Sequence, residues 1–271
     1  MDEQVVTIGS QQIGFLQSAG SERTVILVHG NSSSARTWRR LMAGPLGQRF
    51  RCLALDLPGH GQSAPARDHS AYSLPGYAAT LTGFAGALDA EDAVIVGWSL
   101  GGHIAIESAP GLPQAAGFLI FGAPPVASAA QLADAFLPSP VLNTGFSASV
   151  SPAEALAYAG SFVAPGSALP LDDFVTDILR TDGAARAGLA ASIADGRFAD
   201  QADIAATLGR PLAVLQGDGE QLISLGYLQR LAIPTLWRGA VQIIPAAGHA
   251  PHQEAPEEFA SLLEQFITDL D

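Results

Sequence analysis

The serine at residue 99 has the surroundings that a nucleophile needs. Residues 97–101 read Gly-Trp-Ser-Leu-Gly, with an apolar run at 93–96 before them and a helix-like run at 100–108 after them. A strand, a sharp turn and a helix in this order expose a serine hydroxyl at the tip of the turn. Such a hydroxyl becomes a good nucleophile when a neighbouring base accepts its proton. We therefore predict that Ser99 attacks a carbonyl carbon.

The base that activates such a serine is usually histidine, because its pKa lies close to working pH. The histidines of the chain are His29, His60, His69, His103, His249 and His252. His249 lies in the loop after the apolar run at 241–244 and is the predicted base. We interpret His252 as a capping or packing residue. His103, one turn after Ser99, is expected to pack beneath its helix.

The base needs a carboxylate that fixes its tautomer and stabilises its charged form. Glu220 and Asp218 follow the apolar run at 211–216, which lies between the serine and the histidine in the chain. We predict that Glu220 is the acid and keep Asp218 as the alternative. Asp218 lies so close to the end of its strand that it cannot easily turn back toward His249.

An attacked carbonyl becomes an oxyanion, which needs hydrogen-bond donors aimed at it. The backbone N–H of Leu100 is one predicted donor, because it stands at the start of the helix that follows Ser99. The backbone N–H of Asn31 is the other, because it lies in the loop after the apolar run at 24–28. The candidate site therefore consists of a nucleophile, a base, an acid and an oxyanion hole.

These residues can meet only if one sheet presents their loops at a common edge. Apolar and β-branched runs predict eight strands, at residues 5–8, 13–17, 24–28, 51–56, 93–96, 117–121, 211–216 and 241–244. Helical segments separate most of them, which predicts an α/β fold with a mostly parallel sheet and helices on both faces. In such sheets ligands bind at the carboxyl ends of the strands. Each candidate residue follows a strand, on that same edge.

The alternation of strands and helices breaks between residues 124 and 208. This stretch is rich in Ala, Pro and Ser and contains no convincing buried strand. Ser151 and Glu154, with a proline between them, are typical of a helix N-terminus, and two more helical segments follow. We predict a core of residues 1–123 and 209–271, with residues 124–208 as a helical cap over the active edge.

Composition limits the classes of partner. The net charge of −13 argues against nucleic acid and against an anionic membrane surface. The histidines and the single cysteine do not show metal-ligand spacing, and no phosphate-binding glycine loop precedes a lysine. We therefore expect no metal and no cofactor. The first residues lack a signal-peptide pattern, and no apolar run could span a bilayer, which predicts a cytoplasmic protein.

Almost the whole chain resembles the α/β-hydrolase family, and more closely the metal-independent N-acyl homoserine lactonases of the AidH type. The stretches that carry the resemblance are residues 29–34, 56–61, 97–104, 124–126, 180–183, 236–237 and 247–251. The Asn-Ser-Ser-Ser loop at 31–34 and Trp98 are the most discriminating of them. The resemblance implies an α/β-hydrolase fold, and the chain order Ser99, Glu220, His249 is the triad order of that family.

The resemblance also implies a substrate and two residues that contact it. Tyr158 would hold the lactone, although a packing role on a cap helix is an equal alternative, and Trp98 is predicted to bind substrate as well. The implied activity is opening of the lactone ring of N-acyl homoserine lactones through an acyl-enzyme, which would quench quorum signals. A general carboxylesterase and a ligand receptor with negligible turnover are the alternatives. The expected partner is a small lactone or ester, and the expected state is a monomer or weak homodimer.

Overall fold

One sheet of eight strands runs through the protein in the order β1-β2-β4-β3-β5-β6-β7-β8, as seen in a computed structural model that describes residues 1–270. The strands are β1 (Asp2–Ile8), β2 (Gln11–Gln17), β3 (Glu22–Val28), β4 (Phe50–Leu55), β5 (Val94–Trp98), β6 (Gly117–Phe121), β7 (Leu212–Gly217) and β8 (Gln242–Ile244). The β1–β2 and β2–β4 pairs are antiparallel, and the remaining pairs are parallel. The predicted fold class is confirmed.

The central strands are covered on both faces. Every residue of β5, β6 and β7 is buried, as expected for continuous apolar strands in a parallel sheet. The helices are α1 (Arg39–Ala43), α2 (Pro45–Arg49), α3 (Leu74–Ala87), α4 (Leu100–Ser108), α5 (Leu132–Ala135), α6 (Pro152–Gly160), α7 (Asp172–Arg180), α8 (Gly183–Ala194), α9 (Gln201–Thr207), α10 (Leu225–Leu228), α11 (Pro251–Glu254) and α12 (Pro256–Thr268). Helix α3 packs against α4, and α1 packs against α12. Across residues 1–270, the helices are too short or too polar for one to cross a bilayer.

Between β6 and β7 the regular elements are helical. Helices α5 to α9 and two short 3-10 segments, Ala129–Gln131 and Pro140–Phe146, lie in residues 124–208, which we call the insertion. The predicted start of α6 is confirmed: Ser151 Oγ accepts a hydrogen bond from the Glu154 N–H, and the Glu154 carboxylate accepts one from the Ser151 N–H. This reciprocal capping satisfies two N–H groups that a helix start leaves free. The predicted boundaries of the cap stay a prediction.

Candidate active site

Ser99 occupies a strained turn between β5 and α4, which we call the elbow. Its φ of 52° and ψ of −119° lie in a region that residues with a Cβ atom rarely adopt. Holding a residue in such a conformation costs about 1–3 kcal/mol of folding free energy. A Cβ atom on Gly97 would clash with the Gly101 carbonyl, and one on Gly101 would clash with the Val28 carbonyl. The Ser99 N–H donates to the Phe121 carbonyl over 2.8 Å. The two glycines and this bond explain why the turn can close with the serine at its tip.

His249 and Glu220 form a buried pair. His249 Nδ1 lies 2.7 Å from Glu220 Oε2, and both side chains are 2 % exposed. The other carboxylate oxygen accepts a hydrogen bond from the Leu222 N–H over 2.7 Å, which fixes the rotation of the carboxyl group. Because a carboxylate only accepts, Nδ1 carries the proton and Nε2 is left as the basic nitrogen. Asp218, the alternative acid, is exposed to solvent.

Backbone contacts hold the loops of the acid and the base together. The Asp218 N–H donates to the Ile244 carbonyl over 3.0 Å, and the Gly219 N–H donates to the Ala247 carbonyl over 2.9 Å. Two consecutive N–H groups of the loop after β7 therefore bind the chain that leads from β8 to His249. The two loops lie side by side because β7 and β8 are parallel neighbours.

The imidazole of His249 packs against the elbow. Trp98, the residue before Ser99, donates from Nε1 to the His249 carbonyl over 2.8 Å. A Cβ atom on Gly122 would lie 2.6 Å from His249 Cε1, so the ring rests directly on this glycine. Gly122 follows Phe121, whose carbonyl binds the Ser99 N–H. The post-strand loops thus bring Ser99, His249 and Glu220 to one edge of the sheet.

Asn31 and Leu100 border the same cavity as Ser99. Leu100 is the first residue of α4, where backbone N–H groups have no acceptor within the helix. Asn31 is 8 % exposed, and its Nδ2 donates to the Gly145 carbonyl of the insertion over 2.6 Å. A Cβ atom on Gly30 would lie 3.2 Å from Ser99 Cβ, so the Asn31 loop lies against the elbow. Both predicted oxyanion donors are therefore beside the predicted nucleophile.

A cavity of about 350 Å³ opens at Ser99. Its walls are largely apolar, and most of them come from the insertion. The lining residues are Asn31, Leu74, Ser99, Leu100, His103, Val126, Leu132, Phe136, Ser139, Leu142, Asn143, Phe146, Tyr158, Leu189, Ile193, Phe198 and Gln201. An apolar cavity with a few converging polar groups is the usual form of a small-molecule site.

Tyr158 lines this cavity, and its predicted contact with the lactone stays a prediction. It is 5 % exposed, and its ring packs edge-on against Phe162. A Cβ atom on Gly145 would lie 2.5 Å from the Tyr158 hydroxyl and 2.9 Å from Asn31 Nδ2, so these two polar groups lie close together over that glycine. Burial raises the pKa of Tyr158, with Arg186 acting in the opposite direction, so the hydroxyl is neutral at neutral pH and able to donate.

Two residues lie differently from their sequence prediction. Trp98 was predicted to bind substrate, but its side chain is 1 % exposed and lies between Phe162 and His252 rather than in the cavity wall. The interpretation of His103 as a residue packed beneath its helix is wrong, because it lines the cavity and its ring contacts Phe136 and Gln201 of the insertion. Residues four apart share one face of a helix, so the spacing from Ser99 was a signal present in the sequence, but it does not say what that face contacts.

Two other histidines are structural. His29 Nδ1 donates to the Gly30 carbonyl and its Nε2 accepts from the Leu57 N–H, while burial, with a smaller contribution from His60, lowers its pKa to about 3. His252 contacts Thr37 Oγ1 over 2.8 Å, and burial, with a smaller contribution from His249, lowers its pKa to about 3. The packing interpretation of His252 agrees with these contacts. Among residues 1–270, three or more His, Cys, Asp and Glu side chains do not group in a way that could hold a metal ion.

Comparison with known proteins finds a matching family model and similar solved structures. A sequence model of the alpha/beta hydrolase family matches residues 25–262. The structure of a serine-to-glycine mutant of the N-acyl homoserine lactonase AidH, complexed with N-hexanoyl homoserine lactone, superimposes with a TM-score of 0.95. That chain is 34 % identical, and the match covers 100 % of this chain and 98 % of that one.

Curated relatives include esterases. A pimeloyl-[acyl-carrier protein] methyl ester esterase of Edwardsiella ictaluri is 30 % identical over 256 residues, which is 90 % of this chain and 93 % of that protein. An esterase of Mycobacterium tuberculosis is 37 % identical over 117 residues, 43 % of this chain and 38 % of the relative. Mycobacterial proteins without a described function are 42 % identical over 96 residues, and this chain matches only 27 % of their length.

Proposed function

Because the chain belongs to the α/β hydrolase family, we propose that it is a serine hydrolase that opens the lactone ring of N-acyl homoserine lactones. The observation that carries the substrate class is the likeness to AidH over the whole chain, which includes the insertion that forms the cavity. Removal of the lactone would quench a quorum signal. The coarser assignment, a hydrolase, follows from the family and from its lactonase and esterase relatives.

Ring opening begins with attack of Ser99 Oγ on the lactone carbonyl carbon. His249 Nε2 accepts the hydroxyl proton, and Glu220 holds the other ring nitrogen and stabilises the charged imidazole. The carbonyl oxygen becomes an oxyanion, and the backbone N–H groups of Asn31 and Leu100 donate hydrogen bonds to it. Removing one such donor typically costs about 10²–10³ in turnover.

The intermediate then collapses and the ring C–O bond breaks. The ring oxygen takes the proton from His249 and becomes the hydroxyl group of homoserine, which stays attached because acid and alcohol belong to one molecule. A water molecule next gives a proton to His249 and attacks the ester that links the acyl group to Ser99. The Ser99 oxygen recovers a proton, and N-acyl homoserine leaves.

The cavity would hold the rest of the substrate. Apolar residues of the insertion, among them Leu142, Leu189 and Ile193, provide a surface for an acyl tail. Each buried methylene contributes about 0.8 kcal/mol to such binding. The neutral Tyr158 hydroxyl, close to Asn31, is placed to donate to a substrate carbonyl oxygen.

A general carboxylesterase is the second candidate. The observation in its favour is the esterase relative that matches nine-tenths of the chain, since the same triad hydrolyses open-chain esters. The two activities differ in the cavity rather than at the triad. A substrate comparison is therefore needed to separate them.

The test measures kcat/KM for N-acyl homoserine lactones and for aryl esters, with and without a chelator, and identifies the products by mass. We expect a ring-opened N-acyl homoserine, formed at the same rate with chelator and lost in Ser99→Ala. Free homoserine lactone with a fatty acid would indicate amide cleavage instead. Fast aryl-ester hydrolysis with intact lactones would overturn the lactonase proposal in favour of the esterase.

A further inference from the structure

The apolar cavity contains a polar group, the imidazole of His103, that has no role in the mechanism above. It lies one helical turn after Ser99, and its N–H donates to the Ser99 carbonyl over 3.2 Å. Side chains on a helix lean toward its N-terminus, so the imidazole leans back toward the turn that carries the nucleophile. One ring face stacks on Phe136, with centroids 6.2 Å apart and planes inclined by 23°. His103 is thus held in one orientation beside the reacting serine.

A chain of hydrogen bonds determines which nitrogen of His103 carries the proton. Glu107 Oε2 accepts from Gln201 Nε2 over 3.4 Å, which identifies the nitrogen and the oxygen of the Gln201 amide. Gln201 Oε1 lies 2.8 Å from His103 Nδ1 and can only accept. Nδ1 is therefore the protonated nitrogen. Gln201 is fully buried, so this arrangement is shielded from competition by water.

The remaining nitrogen of His103 is an acceptor without a partner. Burial and the nearby His249 lower the pKa of His103, while the Gln201 contact raises it, and the net shift is downward. The neutral ring has one protonated nitrogen, so Nε2 presents a lone pair. Among residues 1–270, Nε2 has no hydrogen-bond partner. An acceptor in an apolar cavity binds a donor on the ligand far better than an atom that can only accept.

We propose that His103 Nε2 accepts a hydrogen bond from the amide N–H of the substrate, and so makes the protein selective for acylamino over acyloxy compounds. This inference rests on the proposed function for the identity of the lactone. The amide nitrogen of an N-acyl homoserine lactone is bonded to the carbon next to the attacked carbonyl. Only two bonds separate this nitrogen from the carbon that Ser99 attacks, and His103 lies about one helical turn along α4 from Ser99.

The test compares two lactones that differ only in the donor. N-hexanoyl homoserine lactone has the N–H, and α-hexanoyloxy-γ-butyrolactone has an ester oxygen in its place. The selectivity is the ratio of their kcat/KM values, each corrected for the rate in buffer. In His103→Phe, which keeps a flat ring against Phe136 but has no acceptor, we expect the ratio to fall about tenfold, the upper range for one net hydrogen bond.

Two further variants separate recognition from loss of structure. His103→Gln keeps an amide that can bind Gln201 and present an acceptor, so we expect it to retain a larger part of the selectivity than His103→Phe. His69→Phe makes the same chemical change in an exposed 3-10 segment and should leave the ratio as in the parent protein. Labelling of Ser99 by a fluorophosphonate counts the folded sites in each preparation. An unchanged ratio in His103→Phe, with full labelling, would overturn the proposal.

A third lactone tests whether His103 recognises a different hydrogen-bond donor of the substrate. N-(3-hydroxyhexanoyl) homoserine lactone adds a hydroxyl to the acyl chain. If His103→Phe removes only a preference for this hydroxyl and leaves the amide-to-ester ratio intact, the assignment of the amide N–H is overturned.

The outcome can be separated from that of the proposed function. The same comparison is made with 4-nitrophenyl esters of N-hexanoylglycine and of hexanoyloxyacetic acid, which need no lactonase activity. If lactones are not opened but the aryl esters are hydrolysed, the lactonase proposal fails. The acylamino preference in this second pair, and its loss in His103→Phe, still supports the role of His103, and its absence there contradicts it.

Discussion

The sheet edge and the insertion are built on different physical principles. At the sheet edge, short hydrogen bonds and close glycine contacts hold each reactive group, as in the 2.7 Å contact of Glu220 with His249. The insertion instead encloses the cavity with apolar side chains. Within the insertion, the buried Arg186 joins separate segments by donating to the carbonyls of Ser147, Ala148 and Ile178. Polar contacts fix angles and distances, whereas apolar contacts mainly fix volume.

The hydrogen bonds that join the two regions include three from the Asn31 loop and from α4. Asn31 Nδ2 binds the Gly145 carbonyl, Ser34 Oγ donates to Asp177 Oδ2 over 2.8 Å, and His103 binds Gln201. Two of these contacts involve the loop that holds the predicted oxyanion donor. We therefore expect the core to determine the reaction and the insertion to determine the substrate, and substitutions in each region can test this division.

The largest effect is expected at the nucleophile. Ser99→Ala should lower kcat by about 10⁵–10⁶, since loss of the serine in a triad removes the whole covalent route. Calorimetric titration with N-hexanoyl homoserine lactone should still show binding, because the insertion is unchanged. Loss of binding together with turnover would contradict the separation of the two regions.

Glu220→Gln should lower kcat by about 10⁴, because an amide at this position favours the wrong tautomer of His249. The matched variant Asp218→Asn removes the exposed carboxylate of the same loop and should stay within about twofold of the parent kcat, as for a surface substitution. Initial rates at saturating substrate measure both. A reversed order would make Asp218 the acid.

A methyl group at Gly122 tests how closely the histidine is held. Gly122→Ala should lower kcat about 10²-fold, because the new Cβ would lie 2.6 Å from His249 Cε1 and push the imidazole aside. Gly166→Ala in the insertion is the control, since both glycines have positive φ but a Cβ at Gly166 meets nothing within 4 Å. The decrease in melting temperature of each variant measures the backbone strain that the two substitutions share. Equal kcat losses would mean that strain, not displacement of His249, is responsible.

A substitution in the cavity wall should change selectivity rather than chemistry. Ile193→Phe narrows the cavity, so the ratio of kcat/KM for a long to a short acyl chain should fall about tenfold, equivalent to losing burial of roughly two methylenes. Leu156→Phe adds the same ring on an exposed surface of the insertion and should leave this ratio unaltered. A fall in kcat alone, with the ratio preserved, would show that the cavity does not hold the chain.

The smallest effect is expected at Trp98. Trp98→Phe keeps the packing but removes the N–H that binds the His249 carbonyl, and kcat should fall about fivefold, as for one net hydrogen bond. The split between kcat and KM decides the role of this residue. A rise in KM at constant kcat would support the sequence prediction that Trp98 contacts the substrate.

Much of the core could be predicted because its signals are local. The bounds of β6 and α4 match the sequence prediction, since a continuous apolar run and a glycine-flanked turn act within a few residues. Glu220 could be preferred over Asp218 from the direction of the chain after β7. The capping of α6 by Ser151 and Glu154 also depends on neighbours in sequence.

The cavity could not be predicted in the same way, because its contacts join distant parts of the chain. The partner of His103 is Gln201, and the partner of the Asn31 amide is Gly145. Neither residue type carries a signal of its own, and both become important only through position. The burial of Trp98 had the same origin, since Phe162 and His252, which pack against it, are distant in the sequence.

The sequence by itself determined the sheet, the elbow and the order of the three predicted triad residues, because periodicity, glycines and strand ends act over short distances. Only the tertiary structure decided that His103 faces the cavity, that the Trp98 N–H binds the His249 carbonyl, and that Tyr158 lies near Asn31. These arrangements depend on how the insertion packs on the sheet edge. Side-chain packing between distant segments is a property of the whole fold, and no local pattern encodes it.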